Sequence, residues 1–571
     1  MKILQYFVLI ITVLGIWSCS RSKGPEKADL LLTNGDFYTL DEKQPSVQAV
    51  AIKEGRILKM GGNEEILALK GPKTKIIDLE GQFAMPGFIE GHGHLSSLGS
   101  SLLNLNLSKA KNWDEIVTAV AEKVKTAKPG EWIIGRGWHQ EKWDKIPEPQ
   151  VLGYPYHDAL SAISPDNPVL LGHASGHSLF ANKAAMELAG ITAETPNPSG
   201  GAIVRNMKGE AIGVFEENGM DPIWDAYNHY QQTLPEAERK ETWLKGVRLA
   251  QEDCLKKGIT SFEDAGSTFD EIESYKALAD SGKLDLRLWV MLRESYDQIK
   301  DHIGKLPVID AGGKFFTCRA IKQMVDGALG SYGAWLLEPY EDKPSATGQN
   351  TTEISEIGKV AQLAIDHHIQ LCVHAIGDRA NREVLNLFED TFDKHGGPAD
   401  QRWRIEHTQH LAPADIPRFK QLGVIASMQG IHCTSDAPFV VKRLGETRAR
   451  LGAYAWRSLL DAGAVVTNGT DTPVEDADPI PCFYATVTRK RADTGLEFFP
   501  EQKMTRAEAL KSYTLSNAFA AFQENDKGSL SPGKLADIVV LSNNLLNCEE
   551  EQILQTQVLM TMVGGKVKYK K

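Results

Sequence analysis

Residues 83–94 have the sequence FAMPGFIEGHGH, an apolar segment that ends in two histidines separated by one glycine. Because side chains alternate along a β-strand with a period of two, His92 and His94 lie on the same face if this segment is a strand. Two imidazoles on one face can bind one metal ion, and Gly91 and Gly93 leave room for an ion beside the backbone. The pair is equally typical of two polar residues at a strand end, so its interpretation depends on the rest of the chain.

The composition is that of a globular protein larger than one ordinary domain. The chain has 571 residues, of which 42% are hydrophobic and 24% are charged, which is enough for a large core and a second module. The formal net charge of -12 at pH 7 provides no basic surplus that could neutralise phosphate groups. We therefore expect no nucleic acid among the partners of this protein.

The first residues have the features of an export signal. Lys2 precedes a mainly apolar run over residues 3–17, which has the length of a signal-peptide core and is short for a membrane span. The run ends in IWSC at residues 16–19. This ending resembles a bacterial lipobox, the motif whose cysteine is lipidated and becomes the first residue of the mature protein.

From this pattern we predict a lipoprotein signal peptide at residues 1–18, lipidation of Cys19 and a polar tether over residues 19–27. A lipid on Cys19 would anchor the protein to a membrane without spanning it. We therefore expect an exported bacterial lipoprotein, anchored in the outer membrane or on the periplasmic face. An uncleaved anchor and plain secretion are the alternatives.

The remaining cysteines show no closely paired spacing, so we expect few or no disulfide bonds even though an exported protein permits them. Those beside apolar segments are typical of core thiols. The six cysteines are Cys254, Cys318, Cys372, Cys433, Cys482 and Cys548.

Both ends of the sequence contain short apolar runs bounded by turn signals such as Asn34-Gly35 and Glu54-Gly55, which are typical of strands and hairpins. These runs cover residues 29–35, 49–57, 75–79, 537–541 and 558–567. Neither end has enough strands for a stable sheet of its own. We therefore predict one small composite β-sandwich built from residues 28–85 and 520–571.

The middle of the chain, residues 86–519, alternates strand patterns with amphipathic helix patterns such as residues 354–367 and 379–390. The eight strand candidates are residues 87–91, 258–262, 286–291, 320–324, 369–373, 403–406, 424–428 and 465–468. This alternation predicts an α/β fold, a (β/α)8 TIM barrel. The first two strand candidates lie too far apart for one helix to connect them, which predicts a large insertion at about residues 99–245.

Four further candidates fall at or near the ends of these predicted strands. Lys322 lies on the fourth strand, His374 ends the fifth, His407 ends the sixth and Asp471 follows the eighth. The carboxyl ends of barrel strands meet at one mouth, where barrel active sites lie. Imidazole and carboxylate together suit Zn²⁺, Mn²⁺ or Fe²⁺ better than Ca²⁺ or Mg²⁺. With the two histidines of the first strand, they predict a catalytic metal centre.

As an ordered set, these residues resemble the ligands of the metal-dependent amidohydrolase superfamily. The supporting segments resemble its amidohydrolase 3 branch, which includes N-substituted formamide deformylase, and the similarity runs from about residue 28 to the end. These segments are WIIGRGW at 132–138, SGH at 175–177, VDGALG at 325–330, VHAIGDRAN at 373–381, IEH at 405–407 and GSLSPGKLAD at 528–537.

The resemblance implies one or two divalent transition-metal ions, with Zn²⁺ as the first choice. His92, His94 and Asp471 would hold one ion, and His374 and His407 a second. Lys322 would be carboxylated by CO2 and would bridge the two ions. The alternative is a lysine that extends to solvent or pairs with Asp326, which would leave a mononuclear or asymmetric site.

Other residues are candidates for contact with substrate. His177 stands where the branch usually has the last residue of Asp-Gly-His, and His432 follows the seventh strand, so either could stabilise an oxyanion. Asp378 and Arg379 could support the neighbouring His374 or begin a helix. Three tryptophans could form an apolar pocket wall or belong to the core: Trp138, Trp143 and Trp335.

The remaining histidines are interpreted as surface or packing residues. They are His139, His157, His173, His229, His302, His367, His368, His395 and His410.

The function expected from this set is hydrolysis of a carbon–nitrogen bond outside a peptide chain. The substrate would be a small N-substituted amide or formamide, attacked by metal-activated water, with Asp471 taking a proton from the water and passing it to the leaving nitrogen. The alternatives are a surface lipoprotein that binds a small molecule without catalysis, and a deaminase or esterase on the same fold. A homodimer is left open.

Overall fold

The computed structural model describes residues 26–398 and 400–571. The predicted signal peptide, Cys19 and most of the predicted tether lie outside the described residues. Among the described residues, no helix is both long and apolar enough to cross a membrane.

Eight parallel strands form the central sheet, each paired with its neighbours in chain order. They are β1 (Phe88–Gly93), β2 (Ile259–Ser267), β3 (Arg287–Leu292), β4 (Phe316–Met324), β5 (Gln370–Ala375), β6 (Arg404–His407), β7 (Ile425–Gln429) and β8 (Val466–Gly469). The residues after β8 return to β1, since the backbone N–H of Asp471 donates to the carbonyl of His92 at 2.8 Å. The predicted TIM barrel is therefore confirmed, and each predicted strand coincides with one of the eight.

The strands form here because both faces of this sheet are covered. All six residues of β3 and of β5 are buried, as is typical of parallel strands with helices on one side and a packed barrel interior on the other. The helices that follow β2 to β8 include Phe269–Asp280, Tyr296–His302, Ile354–Asp366, Asp378–Lys394, Ile416–Leu422, Ala437–Leu444, Glu446–Gly452, Trp456–Asp461, Pro479–Thr488, Arg506–Ser512 and Leu515–Ala520. Capping boxes begin three of these helices, at Thr268, Ser295 and Thr505, where they satisfy free backbone N–H groups.

The chain between β1 and β2 carries a six-stranded sheet of its own. Its strands are Leu105–Asn106, Ile133–Trp138, Val169–His173, Ser178–Ala181, Gly201–Arg205 and Ala211–Glu217. The longer helices of this segment are Leu95–Leu103, Trp113–Val124, Asp221–Thr233 and Glu236–Lys256. The first and last helices approach closely, because a Cβ atom on Gly99 would lie 2.4 Å from the carbonyl carbon of Gly246. The last of these helices, Glu236–Lys256, leads directly into β2.

The two ends of the chain contribute two more sheets. One has four strands, Leu30–Thr33, Ala49–Lys53, Arg56–Gly61 and Lys75–Asp78. The other has six strands, Asp36–Tyr38, Ser46–Val47, Phe83–Pro86, Ile538–Leu541, Val558–Val563 and Lys566–Lys570. Buried side chains of both sheets, among them Leu32, Ile52, Val540 and Met562, belong to one apolar cluster. Burial of this shared cluster stabilises the two ends against each other.

None of the six cysteines in the described residues forms a disulfide bond. Five of them are buried, including Cys318 and Cys372 in the barrel strands, whereas Cys548 is half-buried. Cys318 and Cys372 are therefore core thiols, as the sequence predicted, whereas Cys548, predicted in the same way, is only half-buried.

A buried ion pair connects the barrel to the C-terminal segment. Arg287 begins β3, and its guanidinium donates to both carboxylate oxygens of Asp537, at 2.7 Å from Nε and 3.1 Å from Nη2. Asp537 also accepts the backbone N–H of Gly564 at 2.7 Å. Both charged side chains are 5% exposed, so each depends on the other for compensation of its charge.

We predict that Asp537→Asn lowers the free energy of unfolding by about 3–5 kcal/mol, because it leaves the buried charge of Arg287 uncompensated. Equilibrium denaturation in guanidinium chloride measures the change. The matched control is Glu122→Gln, which removes an exposed partner of Lys125 and should leave the midpoint unchanged. Equal midpoints for Asp537→Asn and the control would contradict the prediction.

Candidate metal centre

The ends of β1 and β8 bring three predicted ligands together. The Nε2 atoms of His92 and His94 lie 3.6 Å and 3.2 Å from Oδ1 of Asp471. Asp471 follows β8 in the left-handed backbone region, with φ 57°, a conformation that is unfavourable for a residue with a Cβ. Its backbone N–H donates to His92, so the pairing of the first and last strands holds this strained residue beside the two histidines.

The ends of β5 and β6 add two more histidines. The ring centres of His374 and His407 lie 4.3 Å apart, and the ring of His407 lies 4.7 Å from that of His92. His92, His407 and Asp471 each offer a ligand atom, and these three atoms lie within 4.8 Å of one another. The structure therefore brings all five predicted histidine and aspartate ligands to one mouth of the barrel.

Glu406 fixes the orientation of His92. The Nδ1–H group of His92 donates to Oε2 of Glu406, which leaves Nε2 as the free ligand atom. Glu406 in turn accepts a hydrogen bond from Nη2 of Arg404 at 3.3 Å and forms an ion pair with its Nε atom at 2.7 Å. Arg404 also donates to Glu263 at 2.5 Å. All four side chains are buried. Burial opposes ionisation of Glu406, but the charge of Arg404 and the hydrogen bond from His92 hold its pKa well below the usual range, so the acceptor stays charged.

Gln429 has the same effect on His407. The Nδ1–H group of His407 donates to Oε1 of Gln429 at 2.8 Å, which again leaves Nε2 as the ligand atom. The sequence analysis identified neither Glu406 nor Gln429 as a functional residue. Glu406 directly precedes His407, and Gln429 ends β7. The sequence therefore shows that both residues lie at strand ends, but it does not show that they bind His92 and His407.

Two buried ring nitrogens of this group form no hydrogen bond among the described residues. They are Nε2 of His92, which lies 3.6 Å from Asp471, and Nε2 of His374, which lies 3.7 Å from Asp326. A buried polar atom without a hydrogen bond is in an unfavourable state. Burial lowers the pKa of His92 to about 4 and that of His374 well below its ordinary value. Both imidazoles are therefore neutral at pH 7, which is the form that binds a metal ion.

Lys322 extends into the same region from β4. It is 4% exposed, and burial, aided by the charge of Arg293, lowers its pKa to about 8 although Glu406 acts in the opposite direction. Among the described residues it forms no ion pair with Asp326. Asp326 instead accepts the backbone N–H groups of the chain that follows β4 and β5, at Trp335, Ile376 and Gly377.

His177 reaches the centre from the segment between β1 and β2. Its ring lies 5.3 Å from that of His374, and its Nδ1–H group donates to Glu217 at 2.8 Å. Burial lowers the pKa of His177, but the charge of Glu217 outweighs this effect and raises it above the ordinary value. Glu217 was missed from the sequence, and no motif marks it. A Cβ atom on Gly327 would lie 2.1 Å from its Oε1 atom, so this carboxylate needs a glycine opposite it.

His432 flanks the centre on the other side. It lies in the helix Gly430–Ser435 after β7, with its ring 6.4 Å from that of His407. The amide nitrogen of Gln409 donates to its Nδ1 atom at 3.1 Å, so neutral His432 carries its proton on Nε2. That N–H group has no partner among the described residues, which makes it an available donor for a ligand.

Two adjoining cavities share His177, His374, His407 and Asp471 in their walls. The larger, which we call the cleft, has an empty volume of about 1590 Å³, including the part open to solvent. Residues of the cleft wall that come from the segment between β1 and β2 include Ile134, Arg136, Leu170, Glu217, Met220 and Trp224. The smaller cavity has His139, His173 and His432 in its wall.

The predicted tryptophan wall is not part of either cavity. Trp138 is fully buried in the core of the segment between β1 and β2, where its Nε1–H group donates to Leu171 at 2.7 Å. Trp143 packs beside it, and Trp335 lies under the guanidinium of Arg379. The tryptophan in the cleft wall is Trp224, which the sequence analysis did not single out. Asp378 accepts from the backbone of Leu337 and begins a helix.

Known proteins are similar in sequence to this chain over most of its length. Residues 75–569 match the family described as Amidohydrolase family. The chain is 34% identical to Protein LONG AFTER FAR-RED 3 of Arabidopsis thaliana, which covers 97% of this chain and 94% of that protein. It is 28% identical to N-substituted formamide deformylase of Arthrobacter pascens, with 95% and 98% covered.

Among solved structures, an uncharacterized metal-dependent hydrolase from Pyrococcus horikoshii OT3 is similar to this chain. It has 27% sequence identity and a TM-score of 0.73, and the match covers 91% of this chain and 99% of the Pyrococcus chain.

His410, one of the histidines interpreted as a packing residue, is buried after β6. Among the described residues, neither of its ring nitrogens has a hydrogen-bond partner, and burial lowers its pKa to about 3. In the unfolded chain the pKa of histidine is about 6.5. Between these values only the unfolded state binds the proton, so this residue makes the protein less stable as the pH falls.

We predict that His410→Leu reduces the acid sensitivity of the fold. The wild type should lose roughly 2 kcal/mol more of its unfolding free energy than the variant between pH 7 and pH 5. Denaturation curves at the two pH values measure the difference, and comparing each protein with itself removes the effect of altered packing. An equal loss in both proteins would contradict the prediction.

Proposed function

This chain belongs to the amidohydrolase family and is a hydrolytic enzyme, and we propose that it uses divalent metal ions to hydrolyse carbon–nitrogen bonds outside peptide chains. The observation that carries the proposal is the cluster of His92, His407 and Asp471 at the mouth of the barrel, whose ligand atoms lie within 4.8 Å of one another, with the buried Nε2 atom of His92 free of any hydrogen bond to the described residues. Asp471 lies within ion-pair distance of His92 and His94. Neutral imidazoles and an ionised carboxylate are the donor set that Zn²⁺ prefers.

The residues fit one or two ions. His92, His94 and Asp471 would hold the first, and His374 and His407 the second, with a carboxylated Lys322 between them. The buried position of Lys322 and its lowered pKa support this assignment, because carboxylation by CO2 requires the neutral amine. The resulting carbamate is an anionic ligand, which an ammonium group cannot be. We take Zn²⁺ as the ion.

When bound, such an ion polarises a carbonyl oxygen and lowers the pKa of water, which makes water a nucleophile near neutral pH. Proton transfer to and from the reacting groups is carried out by a side chain of the protein. Asp471 accepts a proton from the attacking water and donates it to the nitrogen as the carbon–nitrogen bond breaks. Burial raises the pKa of Asp471, but the hydrogen bond from His94 and the neighbouring imidazoles hold it well below its usual value. The carboxylate therefore starts in the ionised form that this role requires.

His177 and His432 are placed to stabilise the oxygen of the carbonyl group as negative charge develops on it. Glu217 holds His177 through Nδ1 and raises its pKa, so Nε2 can carry a second proton. Gln409 holds His432 in the form with a free Nε2–H group. Donors that are fixed before the reaction stabilise a developing oxyanion without reorganisation.

The substrate class is a small N-substituted amide or formamide. The relative from Arthrobacter pascens is named for deformylation of N-substituted formamides, and its match covers nearly the whole of both chains. Hydrolysis would release the amine together with formate or another carboxylate. Membership of the amidohydrolase family favours catalysis over a protein that only binds a small molecule, whereas deamination and ester hydrolysis remain alternatives for the same centre.

We also propose the domain organisation and the location. The two terminal sheets with their shared apolar cluster support a composite β-sandwich beside the barrel, and the sheet between β1 and β2 supports an insertion that covers the mouth. The lipobox-like IWSC at residues 16–19 supports an exported lipoprotein held at a membrane through Cys19. A homodimer stays a prediction.

We predict that exhaustive chelation abolishes hydrolysis of N-substituted formamides and that Zn²⁺ restores it. Asp471→Asn should lower kcat/KM by at least about 100-fold, because it removes the proton carrier, and should reduce bound zinc by loss of a ligand. Steady-state kinetics and elemental analysis of the same preparations measure both effects.

The matched control for this experiment is Asp461→Asn, an exposed aspartate that is 68% exposed and pairs with Arg457. It should keep wild-type metal content and activity. Activity that survives chelation, or an Asp471→Asn protein with wild-type rates, would contradict the proposed mechanism.

A separate prediction concerns the anchor. In a Gram-negative host, the full-length protein should incorporate radiolabelled palmitate and sediment with membranes, because a lipidated Cys19 inserts into the bilayer. The Cys19→Ser variant should do neither. An unlabelled wild type that fractionates with soluble proteins would overturn the lipoprotein assignment.

A further inference from the structure

Two arginines from different segments of the chain line the cleft without forming an ion pair with another described residue. Arg136 lies on the strand Ile133–Trp138 of the segment between β1 and β2, and Arg293 follows the last residue of β3. Both belong to the wall of the cleft that also contains His94 and Lys322. Among the described residues, no carboxylate lies within 4.0 Å of either guanidinium, since neither arginine forms an ion pair.

Each of these arginines has one contact that positions its side chain, and each guanidinium keeps N–H groups that can bind a ligand. Nη2 of Arg136 donates to the carbonyl of Ala174 at 3.0 Å, which uses one of its five N–H groups. The stem of Arg293 packs on β2, where a Cβ atom on Gly266 would lie 2.9 Å from its Cδ atom. Within the described residues, the guanidinium of Arg293 forms no hydrogen bond to another group.

Several buried arginines of this protein pair with carboxylates, whereas the half-buried Arg136 and the exposed Arg293 of the cleft wall have no such pair among the described residues. Arg287 binds Asp537, Arg404 binds Glu263 and Glu406, and Arg443 binds Asp342. Burial lowers the pKa of Arg136 to about 10, so it still carries its charge at pH 7. A partly desolvated guanidinium without a counter-charge is unfavourable, and a ligand that brings an anion would relieve it.

The acids of the same wall form no ion pair with either arginine, although the charge of Asp471 acts on Arg136 and partly offsets the effect of burial on its pKa. Glu217 is engaged by His177, and Asp471 lies between His92 and His94. Asp221 also contributes to the wall, but it forms no ion pair within 4.0 Å with any described residue. The unmatched positive charge therefore faces the space that the substrate occupies.

We propose that Arg136 and Arg293 form an anion subsite that binds a carboxylate of the substrate. This inference rests on the proposed function and narrows it to N-acyl and N-formyl compounds that carry a carboxylate, such as N-formyl amino acids. A carboxylate matches the planar fork of a guanidinium and accepts two parallel hydrogen bonds from it. The apolar cleft residues Ile134, Met220 and Trp224 would contact the side chain of such a substrate.

Arg293 has a competing role that the experiment must separate. Its charge lowers the pKa of Lys322, so the two cationic groups lie close enough to interact. A carboxylated Lys322 would offer Arg293 an internal partner. In that role Arg293 would support the metal centre, and its loss would affect neutral and charged substrates equally.

The test compares N-formylphenylalanine with N-formylphenylalaninamide, which have the same shape and differ by one charge. For the zinc-loaded wild type, kcat/KM should favour the acid by roughly 10- to 100-fold, the range expected for hydrogen bonds to a charged group. Arg136→Gln and Arg293→Gln should each remove most of this preference, and Arg293→Lys should retain part of it. Arg239→Gln, which removes an exposed charge outside the cleft, should keep the whole preference.

Three results would overturn the subsite. They are a wild type that does not prefer the acid, variants that lose activity equally on both compounds, and a loss of bound zinc that parallels the loss of activity.

If neither compound is hydrolysed, the proposed function fails, and calorimetric titration with N-formylphenylalanine decides on the subsite separately. Tighter binding of this compound to the wild type than to Arg293→Gln and Arg136→Gln supports it, and equal binding overturns it. Inorganic phosphate that binds more tightly than the amino acid derivative would also overturn the carboxylate assignment.

Discussion

The site depends on one buried contact, the bond between His92 and Glu406. Glu406 holds Nδ1 of His92, so Nε2 is directed away from it as the free ligand atom. The carboxylate stays charged at this depth because Arg404, which also pairs with Glu263, lies 2.7 Å from it. Charges removed from water are tolerated when partners satisfy them on all sides. The interior of the barrel therefore fixes the imidazole before any ligand arrives.

Other histidines at the mouth of the barrel are also oriented by hydrogen bonds to neighbouring side chains. Gln429 orients His407 and Glu217 orients His177, and each orienting residue belongs to a different element from its histidine. Asp471 occupies a strained backbone conformation that the junction of β8 with β1 maintains. Backbone strain of this kind is maintained where contacts with the surrounding structure hold a residue in one conformation. The barrel supplies the ligands and their supports, and the segment between β1 and β2 supplies His177, Arg136 and much of the cleft wall.

Most of this architecture could be predicted from the sequence because its signals are local. Each barrel strand is a short apolar run, and His374, His407 and Asp471 come directly at or after such runs. Glu217, Gln409 and Arg293 could not be found in this way, since their roles depend on partners that are distant in the sequence. The sequence left a pocket wall and a core position as alternatives for Trp138, and its contacts with Leu171 and Trp143 decide for the core.

The central claim is that the unpartnered imidazoles of His92 and His374 are metal ligands. A crystal structure of the zinc-loaded protein, with anomalous diffraction measured above and below the zinc edge, tests it most directly. The account predicts anomalous peaks in contact with Nε2 of His92 and with a ring nitrogen of His374, and electron density for a carboxyl group on the amine of Lys322. Zinc bound only elsewhere, with protein groups or water filling both imidazole positions, would contradict it.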